Sequence, residues 1–136
     1  MARTAAWLST DMSEKLVLHP GPEHPISVTA SAERVTVTAR GVMIADTRSA
    51  LVLREQGYPI AYYIPRADVE MAQLRQTEHE TYCPYKGEAH YFTVLSADGE
   101  LTNVVWTYED PHKAVAEIRD HLAFYPDRVE VTAGPQ

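Results

Sequence analysis

The fold is decided by the stretch YFTVLSADGELTNVVW, residues 91–106. Two β-prone segments, 91–95 and 101–106, flank Ala97-Asp98-Gly99-Glu100. An Asp-Gly pair between apolar segments favours a tight reversal of the chain. The stretch therefore predicts a β-hairpin, and we expect short strands that pair with their neighbours in the rest of the sequence.

Further short strands are predicted on the amino-terminal side of this hairpin. They alternate apolar and polar residues with a period of two, or are rich in β-branched and aromatic residues. The predicted strands are segments 26–30, 35–39, 42–45, 50–53 and 60–64. Residues 71–76 are predicted to form a helical turn, so the segment before the hairpin is a meander of strands with one interruption.

One amphipathic helix is predicted on the carboxyl-terminal side of the hairpin. Asp110 is placed to cap its first turn, and Pro111 suits the first helical position. Apolar residues then recur at three- and four-residue spacing, namely Val115, Ile118, Leu122 and Tyr125. We expect Pro126-Asp127 to end this helix and segment 128–132 to form a last strand.

Together these elements predict a mainly β (α+β) fold. We expect a small antiparallel β-sheet or barrel-like fold with one C-terminal amphipathic helix packed on it. A chain of 136 residues suits one domain. The predicted organisation is an N-terminal arm over residues 1–18, a single globular β-rich domain over 19–132 and a tail over 133–136.

Charge and cysteine content limit the classes of binding partner and the cellular compartment that we expect for this protein. Twelve Lys and Arg residues against 19 Asp and Glu residues give a formal charge of -7, which repels phosphate backbones and anionic membranes. We therefore expect no nucleic acid polymer and no membrane as partner, although a local cluster of cations can still hold a small anion. A single cysteine, Cys83, and the lack of an apolar run of about 20 residues predict a cytoplasmic protein without an internal disulfide.

Polar residues where predicted strands end are candidates for ligand binding. Arg66 offers a planar fork and Lys86 a point charge for a carboxylate or phosphate, and an ion pair with a nearby acidic residue is the alternative for each. Tyrosine and tryptophan rings suit a wall that stacks on a flat ligand, although alternation along a strand assigns about half of them to packing. The ligand-binding candidates are Arg66, Asp68, Lys86, Tyr63, Tyr85, Asn103, Trp106 and Tyr108.

Two residues are candidates for catalysis. Glu109 is a candidate general base, and Cys83 is a candidate nucleophile because a nearby cation lowers the pKa of a thiol. An ion pair is the alternative for Glu109, and a small buried hydrophobic residue is the alternative for Cys83. No metal site is predicted, since Glu109-Asp110 is the only adjacent acidic pair and adjacent side chains of a strand diverge. The sequence leaves the cofactor unknown.

These clusters and their surroundings resemble the family known as domain of unknown function 427, which is also labelled nucleotidyltransferase-like. The similarity runs from about residue 19 to residue 131. It rests on the motifs Gly21-Pro22-Glu23-His24-Pro25-Ile26, Pro65-Arg66-x-Asp68, Cys83-Pro84-x-Lys86-Gly87, Asn103-x-x-Trp106-x-Tyr108-Glu109-x-Pro111 and Phe124-Tyr125-Pro126-Asp127-Arg128-Val129. The resemblance implies a small β-rich fold with a groove lined by these motifs, and it brings no established substrate. The chain lacks the close-set carboxylates and glycine-rich loop typical of metal-dependent nucleotidyl transfer.

Three functional hypotheses follow. The first is a binding module whose groove, between Arg66 and segment 83–87, takes a small anionic or planar ligand such as a nucleotide or metabolite. The second is an enzyme, a transferase or hydrolase, that uses Glu109 or Cys83 in the same groove. The third is a structural protein-interaction domain, with a homodimer as one form. The first two require Arg66, Lys86 and Glu109 to converge on one concavity ringed by aromatic side chains.

Overall fold

The computed structural model describes residues 15–134, which form ten β-strands joined by turns and short 3-10 helices. The strands are β1 (Ile26–Ala30), β2 (Arg34–Ala39), β3 (Val42–Thr47), β4 (Leu51–Glu55), β5 (Ala61–Pro65), β6 (Leu74–Cys83), β7 (Gly87–Val94), β8 (Leu101–Thr107), β9 (His121–Phe124) and β10 (Glu130–Gly134). The 3-10 segments are Arg66–Asp68, Met71–Gln73 and Lys113–Ile118. The prediction of a mainly β fold is confirmed. No helix within residues 15–134 has the length and hydropathy to cross a bilayer.

The strands form two antiparallel sheets. The large sheet has seven strands in the order β1-β4-β5-β9-β8-β7-β6, and the small sheet has three in the order β10-β2-β3. Short turns join four of the eight neighbouring pairs, β2–β3, β4–β5, β6–β7 and β7–β8, because consecutive antiparallel strands need only a tight connection. Strands that are not consecutive in the chain also pair, namely β1 with β4, β10 with β2 and β5 with β9, and β9 lies between β5 and β8.

Alternation along the strands sorts apolar side chains onto the two faces of the large sheet. One face packs against the small sheet in an inter-sheet core, which includes Val35, Val37 and Ile44 from the small sheet and Ile64 and Leu122 from the large sheet. The opposite face carries an outer core, whose members are Leu53, Tyr63, Ala89, Tyr91, Tyr108, Val115, Ile118 and Ala123. Full burial of each Val, Leu or Ile side chain stabilises the fold by about 1.5–3 kcal/mol.

The predicted C-terminal amphipathic helix is wrong. Residues Lys113–Ile118 form 3-10 turns interrupted at Val115, whose φ of -127° and ψ of 33° are not helical. Residues 121–124 form β9, and Asp120, with φ of 64°, turns the chain between the two. The predicted helix cap, Asp110, has a side chain that is 91% exposed and accepts a hydrogen bond from Arg119 at 3.2 Å.

The spacing of apolar residues suits this arrangement as well as it suits a helix. A 3-10 turn places positions three apart on one side, and Val115 and Ile118 are both fully buried in the outer core. Leu122, Ala123 and Phe124 are then buried in succession, as expected of a short strand covered on both faces. Backbone pairing of β9 with both neighbours therefore overrides the local helical preference.

The other predicted elements were confirmed in part. The hairpin is confirmed as β7 and β8, and the predicted helical turn over 71–76 is limited to Met71–Gln73. Strand β6 was not predicted, because this edge strand of ten residues is mostly exposed and polar and lacks the apolar alternation that identifies a strand. The last strand continues to residue 134. Residues 1–14 of the predicted arm and residues 135–136 of the predicted tail lie outside the described residues.

Candidate functional site

An aromatic pocket of about 530 Å³ is lined mainly by strands of the large sheet. Its volume lies within the range of small-molecule pockets, about 300–1,000 Å³. Eight of its lining residues carry aromatic rings, namely Tyr58, Tyr62, Tyr63, Tyr91, Trp106, Tyr108, Phe124 and Tyr125. The pocket therefore offers flat apolar walls with phenol hydroxyls at their edges.

The pairing register of three strands builds the centre of this wall. Trp106 on β8 lies opposite Tyr91 on β7 and Ala123 on β9. Trp106 Nε1 donates a hydrogen bond to the hydroxyl of Tyr63 at 3.0 Å, and the two rings meet edge to face with centroids 6.2 Å apart. The small side chain of Ala123 leaves room for this pair. The two rings are thus held in fixed orientations by packing and by a hydrogen bond.

Three phenols of the pocket, those of Tyr63, Tyr108 and Tyr125, are neutral at physiological pH. Burial disfavours a phenolate and raises the pKa of Tyr63 and of Tyr108 far above the usual range. Burial, and to a smaller extent a hydrogen bond with Tyr91, raises the pKa of Tyr125 to about 12. These side chains can therefore act as neutral hydrogen-bond donors and acceptors, and none of the three adds charge to the pocket.

A buried ion pair forms the only charged part of the described pocket lining. Lys86 Nζ donates to Glu55 Oε1 at 2.5 Å, and the two side chains are 11% and 8% exposed. His24 Nε2 is hydrogen-bonded to the other oxygen, Oε2, at 2.7 Å. Burial by itself would raise the pKa of Glu55, but the bonds from Lys86 and His24 outweigh it and hold this pKa below the usual value. Glu55 is therefore an ionised, acceptor-only group at neutral pH.

The alternation of β4 explains why a carboxylate faces this interior. Leu51, Leu53 and Glu55 share one face of the strand, and the two leucines pack in or against the outer core. The charge of Glu55 is stabilised there because the β6–β7 turn brings Lys86 over the same face. The sequence signal for Glu55 was thus its period-two spacing from two apolar residues.

Two further contacts hold the turn that carries Lys86. The ring of His24 stacks on that of Tyr85 with centroids 4.1 Å apart and planes inclined by 14°. Gly87 has φ of 114°, and a Cβ at this position would lie 3.4 Å from the Asp110 carbonyl oxygen. A residue with a side chain would be strained at that backbone conformation, so glycine allows the close approach.

Cys83 lies on the lining of the same pocket. Its thiol is free and half-buried, and its carbonyl accepts a hydrogen bond from the Lys86 backbone amide at 3.2 Å. A thiol in this position can contact a ligand directly. Among residues 15–134, no three His, Cys, Asp or Glu side chains are grouped in a way that could hold a metal ion.

Arg66 and Glu109 lie in a different place from Lys86. They line a second hollow of about 330 Å³, the Arg66 hollow, together with Thr107, Arg119 and Asp120. The guanidinium of Arg66 lies over the ring of Phe92, 5.8 Å from its centroid. The predicted convergence of Arg66, Lys86 and Glu109 on one concavity is therefore wrong.

The course of β5 gives the physical reason for this separation. β4 and β5 are antiparallel, so Glu55 and its partner Lys86 lie at the end of the sheet where β5 begins. Arg66 follows the residue where β5 ends. A strand of five residues spans roughly 16 Å, which places the two cations at opposite ends of the strand.

Five of the predicted site residues line the aromatic pocket, and five do not. The residues on the lining are Tyr63, Cys83, Lys86, Trp106 and Tyr108. Of the others, Asp68 accepts a hydrogen bond from Thr47 Oγ1 at 2.6 Å, and Tyr85 stacks on His24. Asn103 has φ of 54° next to an irregular pairing of β7 and β8, and it accepts a hydrogen bond from Thr77 at 2.6 Å. These contacts hold loops and strands together.

No curated protein matches this chain. A family model described as Domain of unknown function (DUF427) matches residues 27–134, a range that contains every lining residue of the aromatic pocket and of the Arg66 hollow. Because this match spans most of the chain and agrees with the motifs of the sequence, the protein belongs to the DUF427 family.

Proposed function

We propose that this protein is a binding module that takes a planar, largely apolar small molecule in the aromatic pocket. The observation that carries the proposal is the pocket itself, in which fixed rings such as Tyr63 and Trp106 line about 530 Å³. Flat apolar walls favour flat ligands, because stacking buries both faces of a ring system at once.

Charge favours the planar ligand over the anionic one. Among the residues that the structure describes, Glu55 and Lys86 are the only charged ones on the lining, and they neutralise each other. A phosphate or carboxylate that approached Lys86 would also meet Glu55, and the two like charges would repel each other. Of the two ligand types expected from the sequence, the planar type therefore fits this pocket better.

Titration with quinoline, a neutral two-ring probe at pH 7.5, tests the proposal by ligand-observed NMR. A probe of about ten non-hydrogen atoms that gains roughly 0.4–0.6 kcal/mol per atom binds with a Kd between about 1 mM and tens of micromolar. We expect saturable binding in this range. Linear, non-saturating uptake up to several millimolar would contradict the proposal.

A pair of matched variants locates the binding. Ala61 lines the pocket on the same face of β5 as Tyr63, so Ala61→Trp places an indole in the space that the probe would occupy. Ala67 is exposed and lies outside the pocket, so Ala67→Trp is the control. We expect at least a tenfold weaker Kd in the first variant and an unchanged Kd in the second. Equal effects would place the binding elsewhere.

The other functional hypotheses are separated by the same probe. Cys83 is the one predicted catalytic residue on the pocket lining, because Glu109 lines the Arg66 hollow. Turnover of a bound ligand that is lost in Cys83→Ser would favour an enzyme, and a homodimer without ligand binding would favour an interaction domain. A net charge of -7 and a single free cysteine support a cytoplasmic setting without a nucleic acid polymer or membrane as partner.

A further inference from the structure

We infer that the ligand of the aromatic pocket carries a neutral lactam edge, in which an N–H donor and a C=O acceptor lie side by side. The inference rests on the proposed function, since it names the polar edge of a molecule whose flat body the aromatic wall holds. It concerns the Glu55–Lys86 pair, which lines the pocket and, within residues 15–134, is the one place where charged atoms meet the ligand space.

Both members of this pair have hydrogen-bonding capacity left. Within residues 15–134, each oxygen of Glu55 accepts one side-chain bond, from Lys86 or from His24. A carboxylate has about four lone-pair sites, so roughly two are free. The Lys86 ammonium has three N–H donors and gives one to Glu55. The pair therefore presents a free acceptor next to a free donor.

The chemistry of the pair selects a ligand group that is neutral and has both hydrogen-bonding functions. An anion would be repelled by Glu55, and a cation would be repelled by Lys86. An apolar edge would displace water from both groups without replacing its hydrogen bonds, and leaving a buried polar group unsatisfied is costly. An N–H that faces the carboxylate and a C=O that faces the ammonium satisfy both.

The spacing of the two protein atoms matches that of a lactam. Glu55 Oε1 and Lys86 Nζ lie 2.5 Å apart. In an amide the nitrogen and the oxygen are about 2.2 Å apart, from bond lengths of 1.23 and 1.33 Å meeting at a planar carbon. Ring closure holds the N–H and the C=O of a lactam on the same side, so the two bonds can form in parallel.

Three probes of nearly equal size test the inference on the unaltered protein. They are isoquinolin-1(2H)-one, its N-methyl derivative and quinoline, with Kd measured by ligand-observed NMR at pH 7.5. We expect the lactam to bind at least tenfold more tightly than the N-methyl derivative, which keeps the ring and the carbonyl and lacks the donor. Ribose 5-phosphate, which has the charge and no aromatic ring, is expected to bind more than tenfold more weakly than the lactam.

The outcomes distinguish the inference from the proposed function. If quinoline does not bind saturably, the planar binding module is refuted. If quinoline binds and the two isoquinolinones have Kd values within twofold of each other, the lactam edge is refuted and the binding module stands. Ribose 5-phosphate binding as tightly as the lactam would overturn the inference in favour of an anionic ligand.

Variants assign the preference to the ion pair. The double substitution Glu55→Leu and Lys86→Met replaces the pair with apolar side chains, which buried ion pairs often tolerate. We expect it to reduce the lactam preference to within twofold. The control, Arg75→Met with Glu100→Leu, removes an exposed pair outside the pocket and leaves the preference unchanged. If the double variant does not unfold cooperatively and so is not folded, the single variant Glu55→Gln replaces it and must lower the preference for the lactam over its N-methyl derivative. An undiminished preference in either variant would show that the ion pair is not its source.

Discussion

Lys86→Met removes the ammonium from a carboxylate that is only 8% exposed. Breaking a buried ion pair by removing one partner typically costs about 3–5 kcal/mol, because the remaining charge is left without compensation. His24 still donates to the second oxygen of Glu55, so we expect the lower end of this range. A loss of about 3 kcal/mol lowers the folded-to-unfolded ratio roughly 150-fold.

Urea denaturation at pH 7 measures this loss directly. With an m-value of about 2 kcal/mol/M, the midpoint of unfolding should fall by about 1.5 M relative to the unaltered protein. Arg75→Met is the matched control, because Arg75 makes two hydrogen bonds to Glu100 at 2.7 and 2.9 Å but both side chains are about half exposed. We expect its midpoint to move far less.

The pH dependence of the same variant tests the cause. In the unaltered protein the folded-state pKa of Glu55 is depressed, so its stabilising contribution is present above the unfolded pKa, about 4.3, and is lost as the pH falls through the folded value. Without Lys86, burial favours the neutral carboxyl, so acidification costs the variant less. The stability gap should therefore narrow as the pH falls from 7 towards 4. A gap below about 1 kcal/mol at pH 7, or one that stays constant across this range, would refute the reasoning.

Three further predictions test the fold by the same urea assay. Ile118→Ala, at a fully buried site of the 3-10 segment, should lower the free energy of unfolding by about 2–5 kcal/mol, and Glu117→Ala at its exposed neighbour by no more than about 0.5 kcal/mol. Asn103→Ala should lower the free energy of unfolding by about 1–2 kcal/mol, because it removes the bond from Thr77 and places alanine at a positive φ. Asn103→Gly should cost less, because glycine tolerates that φ, and equal costs would contradict a contribution from backbone strain. Gly87→Ala should cost more than about 1 kcal/mol, and a neutral effect would show that the close approach to residue 110 is relaxed.

Strands with period-two patterns and clear turns could be predicted from the sequence. The β7–β8 hairpin and β2 belong to this group, because one face of each is buried and local chemistry determines the reversal. β6 and β9 could not be predicted in the same way. β6 is a polar edge strand, and β9 is a four-residue strand whose identity depends on pairing with β5 and β8, which are distant in sequence.

The sequence could predict which residue types suit ligand binding in the candidate site, but not which residues lie close together. Tyr63, Trp106 and Lys86 have side chains that suit ligand binding, and they line the pocket. Their grouping with Arg66 was wrong because proximity depends on strand direction, which single-sequence patterns do not reveal. Glu55 was missed because its importance depends on a partner 31 residues away.

The position of β9 has a consequence for how this molecule assembles during synthesis. Until residues 121–124 are available, β5 and β8 each end their half of the large sheet with unpaired backbone groups. Exposed strand edges of this kind recruit other chains, so a nascent protein that stalls before this segment is prone to aggregate. Completion of the sheet therefore waits for one short strand made late in translation, and a released fragment ending at residue 120 should be captured by chaperones that release the full-length chain.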